Sequence, residues 1–404
     1  MSPDMSPRIA RSPRIAGRVL AAIVVLLIGI WLGGHPSWLP SPLRGAFVDD
    51  GNGRFVSEVL KIIERDYYRP VNGRQLVNKG LQAAVASLDD PYSRYLDAAD
   101  YRASQNQTNP HFSGIGIDVA SELRGLRIVE VFGGSPAAHA GLTPGELIVA
   151  VDQTSLTNRS AASATQLITG RSGTRVSVTV LSGKAKHVVS LVRARLVSPV
   201  ASEKVVTFHG VKIGNLRLAL FADGAGDELR AQVDSALHSG ARALVLDLRE
   251  NPGGLLAQAV DVASIFIANG TIVSTAGRNQ PRQVYVAKGG AISASIPLVV
   301  LVDRGSASSA EIVTGALQDR HRAKVVGTRT YGKGVFQQVE PLSNGGALDI
   351  TVGEYFTPSG RNLGGAGVTR GTGIPPDVFA LSNPHARRDS ALLAAQRTVA
   401  AEVR

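Results

Sequence analysis

The chain has 404 residues, of which 44% are hydrophobic and 5% aromatic, with 44 glycines and a formal net charge of +11. That length exceeds one ordinary domain, and the composition suits packed cores of Val, Ile, Leu and Ala with many turns. The lack of cysteine excludes disulfides, thiolate metal sites and a thiol nucleophile. The basic excess is scattered arginine without interleaved aromatics, which argues against a nucleic-acid partner.

Residues 1–18 read as a basic tail containing Arg8, Arg11, Arg14 and Arg18. An uncharged run follows (VLAAIVVLLIGIWL), so 19–34 reads as a signal anchor or transmembrane helix, slightly short of the ~20 residues that span a bilayer. With the basic flank inside, the expectation is a single-pass cell-membrane protein whose body is extracytoplasmic, on the periplasmic or cell-wall side. A secreted form is the alternative if the segment is cleaved. Residues 35–53, rich in Pro and Gly, read as a linker.

From 54 to 110 the apolar spacing is helical: positions 55, 56, 59, 60, 62 and 63 form one stripe, and a second stripe ends at Asp89-Asp90-Pro91. From 111 to 195 short β-branched runs alternate with turns, with helices expected at 135–140 and 160–169, which describes a compact, barrel-like β-domain. From 196 to 382 strands and helices alternate, predicting an α/β core with a mixed sheet. Residues 383–404 read as a helical tail.

Three junctions in the α/β region combine residues able to do chemistry. Asp247-Leu248-Arg249-Glu250-Asn251-Pro252-Gly253-Gly254 joins a buried strand to a helix, so its N–H groups form either an oxyanion cradle or a plain tight turn. Gly305-Ser306-Ala307-Ser308-Ser309-Ala310-Glu311 either displays a nucleophilic serine at a helix start or caps that helix. Tyr331-Gly332-Lys333-Gly334 holds a lysine that is either desolvated into a usable base or a solvated turn residue. No histidine lies in a Gly-rich junction, and no HExxH spacing points to a metal.

In their order along the chain, these stretches resemble the carboxyl-terminal processing peptidases, or tail-specific proteases. LDDPYSRYL (88–96), FSGIGIDV (112–119), VFGGSPAAHAGLTPGELIVAVD (131–152), DLRENPGG, LVDRGSASSAEIVTGALQD, GTRTYGKGVFQ, YFTPSGR and GIPPD carry the likeness across roughly 55–378. The resemblance implies a serine endopeptidase with a PDZ domain over 111–195, and a core over 196–382 with a mixed sheet resembling the crotonase-like fold. It implies Ser308 as nucleophile, Lys333 as base and Gln337 as the residue orienting that lysine. The oxyanion donors would be the N–H groups of Ser309 and Gly253, with Gly254 the alternative. Gly114, Ile115, Gly116 and Ile117 would receive a substrate's C-terminal tail as an added strand. No cofactor or metal is implied. The partners would be proteins with accessible C-terminal tails and, through the N-terminal helix, the membrane, with a homo-oligomer left open. Ser309-Ala310 departs from the family's commoner Ala-Ser and makes Ser309 a rival nucleophile. A catalytically silent, membrane-anchored PDZ adaptor is the competing function, and a crotonase-like acyl-transfer enzyme stands behind it.

Overall fold

Strands Ala243–Asp247 and Leu298–Val302 are buried at every position, as expected of parallel strands covered on both faces. In this computed structural model residues 51–107, 111–159, 161–183, 185–365, 367–382 and 388–403 are described. The two strands lie at the centre of a six-stranded mixed sheet in the order Ala201–Phe208, Val211–Leu218, Ala243–Asp247, Leu298–Val302, Lys324–Gly327, Val378–Phe379. The first pair is antiparallel and the rest are parallel. On one face Leu244, Leu246, Leu298 and Val300 pack with the helices Ala225–His238, Leu256–Ser264 and Ser309–Asp319. On the other, Ala243, Val245, Val299 and Leu301 pack with Ala391, Ala395 and Val399 of the helix Ser390–Ala400. Alternation along each strand thus feeds two cores, where each fully buried Leu or Val contributes about 1.5–3 kcal/mol.

An antiparallel sheet completes the core. Ala347–Phe356 is its long strand and pairs with Arg94–Leu96, Thr271–Gly277 and Val335–Pro341, while Gln280–Val286 flanks Thr271–Gly277. The short strand Arg94–Leu96 comes from a region whose pattern had read as helical, so a piece ahead of the β-domain is built into the core.

The β-domain is a sheet in the order Ile117–Glu122, Gly125–Val131, Leu147–Val151, Arg175–Ser182, Ala185–Val192, with helices Pro136–His139 and Ala161–Ile168. Its apolar cluster includes Ile115, Leu126, Ile128, Ile148 and Val178. A two-stranded ribbon, His111–Gly114 with Ala194–Val197, joins the domain's entry and exit.

The chain divides into two units, residues 1–83 and 84–404. In the first, the helix Gly51–Asp66 leaves Phe55, Val56, Val59 and Ile62 exposed. The helix Gly73–Ala86 contains no buried residue.

One expectation is corrected. The uncharged run at 19–34 lies outside the described residues, and among the described residues no helix is long and apolar enough to cross a membrane. The longest, Gly51–Asp66, has 16 residues and is interrupted by charges, whereas a spanning helix needs ~20 apolar ones. The single-pass membrane location is therefore unsupported and is withdrawn.

Candidate active site

Ser308 stands where the strand Leu298–Val302 gives way to the helix Ser309–Asp319, with φ 54° and ψ −115°. A non-glycine residue held there costs about 1–3 kcal/mol and persists only where the surroundings impose it. Here the turn is tied to its neighbours: Ala307 N donates to Asn251 O at 2.9 Å, Ser306 Oγ to Leu248 O at 2.8 Å, and Tyr331 N to Ser306 O at 2.9 Å. The Ser308 side chain faces the buried Tyr355 hydroxyl, whose pKa burial pushes up.

The two adjacent serines differ sharply. Ser309 is fully buried and its Oγ donates to Gly254 O at 2.9 Å. A hydroxyl engaged in that way is part of the scaffold. Ser308 instead retains 8% exposure beside Gly253.

The Lys333 turn is brought to the Ser308 turn by one carboxylate. Glu311, fully buried, accepts Ser308 N and Lys333 N on Oε2, each at 2.9 Å. Its Oε1 accepts Thr330 Oγ1 at 2.6 Å and Gly332 N at 2.7 Å. Burial pushes the Glu311 pKa up, while these four donors act in the opposite direction. Glu311 is not among the site residues expected from the sequence. Its signal was available, since a glutamate in the first turn of a helix otherwise made of small and apolar residues is a buried acceptor awaiting donors.

Lys333 Nζ donates to Gln337 Oε1 at 2.7 Å, and Gln337 Nε2 to Thr351 Oγ1 at 3.0 Å. Burial holds the Lys333 pKa below its ordinary value and Arg94 acts in the same direction, against the pull of Asp349, Asp90 and Glu311. No hydrogen bond joins Lys333 Nζ to Ser308 Oγ among the described residues. The two turns are adjacent through Glu311. Arg370 and Gly371 close over this turn: Gly371 N donates to Gly332 O at 2.9 Å, and Arg370 Nε to Tyr331 O at 2.9 Å.

The Asn251–Gly254 turn faces Ser308. A Cβ on Gly253 would lie 2.8 Å from Ser308 Cβ and 3.0 Å from Ser309 N, so only glycine permits this approach. The Gly253 N–H, however, is taken by Asn251 Oδ1 at 2.9 Å, and Asn251 Nδ2 donates to Leu218 O at 2.8 Å. The N–H groups of Ser309 and Gly254 make no hydrogen bond with any described residue. Behind the turn, Arg249 bridges Asp247 at 2.6 Å and Asp389 at 2.8 Å, which raises the guanidinium's pKa and lowers that of Asp389.

In the β-domain Gly114, Ile115 and Gly116 are buried and Ile117 is half-buried at the start of its strand. Ala137 N donates to Ile115 O at 2.9 Å, and Phe132 N to Gly116 O at 3.0 Å. The N–H groups of Ile115 and Gly116 donate to no described residue, which leaves them available to a carboxylate.

Known proteins match this layout segment by segment. Peptidase family S41 matches residues 212–378, the PDZ domain 103–181, and the activating protease CtpB N-terminal domain 51–100. The carboxyl-terminal-processing protease of Synechocystis sp. is 35% identical over 310 residues, covering 76% of this chain and 72% of that protein. The chain belongs to the carboxyl-terminal-processing proteases of peptidase family S41. The carboxy-terminal-processing protease of Bartonella bacilliformis is 33% identical over 318 residues, covering 77% of this chain and 72% of its own. Among solved structures, the photosystem II D1 C-terminal processing protease is 26% identical with a TM-score of 0.50, covering 87% of this chain and 98% of that one. This protease is accordingly a serine-type peptidase that hydrolyses peptide bonds and carries a PDZ domain.

Proposed function

We propose that Ser308 is the nucleophile of this peptidase, Lys333 its general base and Gln337 the residue that orients the lysine. The observation that carries this reading is the shared Glu311 carboxylate, which receives the backbone N–H of both Ser308 and Lys333 at 2.9 Å. Neutral Lys333 Nζ takes the proton from Ser308 Oγ as that oxygen attacks the scissile carbonyl carbon. The resulting ammonium returns the proton to the departing amine, leaving an acyl-enzyme on Ser308. Water, deprotonated by Lys333, then releases the carboxylic product. The N–H groups of Ser309 and Gly254 receive the oxyanion, because the Gly253 N–H is occupied by Asn251.

The substrate class is proteins presented by their C-terminal tails. The free N–H groups of Ile115 and Gly116, flanked by Gly114 and Ile117, support capture of the terminal carboxylate while the tail pairs with the strand Ile117–Glu122. The test compares Ser308→Ala and Lys333→Arg with the native enzyme on an unfolded protein. Both variants lose at least about 10³-fold in cleavage and still bind the tail. A Lys333→Arg enzyme with native turnover would remove the base assignment, since guanidinium does not deprotonate.

A further inference from the structure

The segment ahead of the PDZ domain has no part in the assignments above, yet it lies against Lys333. Asp90 Oδ1 accepts Tyr92 N at 2.9 Å and Asp90 Oδ2 accepts Ser93 Oγ at 2.5 Å. Ser93 Oγ accepts Thr351 N at 2.9 Å, and Thr351 is the residue that holds Gln337. Arg94–Leu96 then pairs with Ala347–Phe356, and Arg94 bridges Asp349 at 3.1 Å. These anchors fix the Tyr92 ring over Lys333, with Nζ 5.1 Å from the ring centroid.

We propose that Tyr92 is a positioning residue for the peptidase reaction, its ring face stabilising the Lys333 ammonium that forms when Ser308 gives up its proton. The inference rests on the Ser308–Lys333 reading. An aromatic face within about 6 Å attracts a cation through its quadrupole, and more strongly where water is excluded. That attraction is absent while Lys333 is neutral and appears as it takes the proton, so it lowers the barrier rather than strengthening ground-state binding. The phenol itself stays uncharged, since burial and Tyr331 push its pKa up to about 12.

The other groups facing this lysine come from four elements. They are Asp90 and Arg94 on the same segment as Tyr92, Asp349 on the strand Ala347–Phe356, Glu311 on the helix Ser309–Asp319, and Gln337 on the strand Val335–Pro341. Tyr331, stacked under Arg370 with the guanidinium carbon 4.3 Å from its ring centroid, backs Tyr92. Tyr92 offers an uncharged aromatic face to Nζ, and that allows its contribution to be separated from the carboxylates.

The experiment measures kcat/KM against pH on an unfolded protein for the native enzyme, Tyr92→Phe, Tyr92→Leu and Tyr92→Ala, with Lys333→Ala as the reference for the dyad. Tyr92→Phe keeps the ring and is expected to keep the native profile. Tyr92→Leu removes the π face but stays bulky and apolar. Its acid limb should move to lower pH by about half a unit and its plateau should fall about threefold to tenfold. Tyr92→Ala admits water, so its acid limb should move to higher pH, opposite to that of Leu. A purely structural role would lower all rates without moving the limb. If Tyr92→Leu matched the native limb and plateau while Lys333→Ala was inactive, the inference would be overturned and the dyad would stand. An active Lys333→Ala enzyme would instead overturn the dyad. Thermal melts confirm folding, and Tyr92→Leu decides the matter should Tyr92→Ala fail to fold.

Discussion

The PDZ domain and the protease core both present backbone N–H groups from a bent loop, but they hold those loops by different means. In the PDZ domain the loop is latched by two backbone bonds, Ala137 N to Ile115 O and Phe132 N to Gly116 O, over an apolar cluster containing Ile115, Leu126 and Ile128. In the core three turns hang on buried polar side chains: Glu311 joins the Ser308 and Lys333 turns, and Asn251 ties the Gly253 turn to Leu218 and, through its own carbonyl, to Ala307. An apolar latch loosens by degrees as contacts are trimmed. A buried acceptor with four donors is different, because its removal strands all of them at once.

The largest effect should therefore come from Glu311→Ala. Each buried donor left without a partner costs about 1–3 kcal/mol, and the loss of Ser308–Lys333 registration should lower cleavage at least about 10²-fold. Cleavage assays with thermal melts check this. A Glu311→Ala enzyme with native rate and melting temperature would show that the turns are held by other contacts.

On the PDZ side, Gly116→Ala is the matching lesion. Gly116 has φ +82°, and a Cβ there would lie 2.2 Å from Ser135 Cβ. Tail affinity, measured by titration with a peptide bearing a free C-terminal carboxylate, should weaken about tenfold, equivalent to ~1.4 kcal/mol. Cleavage of a peptide too short to reach the PDZ groove should be unchanged. Equal losses on both substrates would mean that the two regions are not separable in the way described.

The smallest effect is expected at Ser309, the neighbour of the proposed nucleophile. Ser309→Ala removes one hydroxyl bond to Gly254 O, worth about 1 kcal/mol, and should leave kcat/KM within a few-fold of native. Loss of activity as complete as in Ser308→Ala would reverse the assignment of the two serines.

The parts of the fold legible in the sequence were those with one-sided or fully buried patterns. ALVLD and LVVLV announced the inner parallel strands, and SSAEIVTGALQD the helix behind Ser308. The antiparallel sheet was not legible. QPRQVYV and ALDITVGEYF mix polar and apolar residues because their faces are unequally covered, and pairing partners such as Arg94 and Asp349 lie far apart in the chain. Ser308, Lys333 and Gln337 could be named from the order of motifs, but local chemistry alone left each open. Tyr92 and Thr351 were missed because their contacts with Lys333 and Gln337 join distant parts of the chain, which spacing does not encode, whereas Glu311 lies only three residues from Ser308. The occupation of the Gly253 N–H is by contrast local, an Asx-type bond to Asn251 two residues before it.

The central claim, Ser308 activated by Lys333, is tested most directly by covalent labelling. A phosphonylating serine-protease reagent is applied across a range of pH, and the adduct is located by mass spectrometry. Burial lowers the Lys333 pKa, so the neutral, basic form gains population as pH rises through a value below lysine's ordinary ~10.4. The account predicts a single adduct on Ser308 whose rate of formation climbs with that titration, and slow, pH-insensitive labelling in Lys333→Ala. An adduct on Ser309, or native-rate labelling of Lys333→Ala, would contradict it.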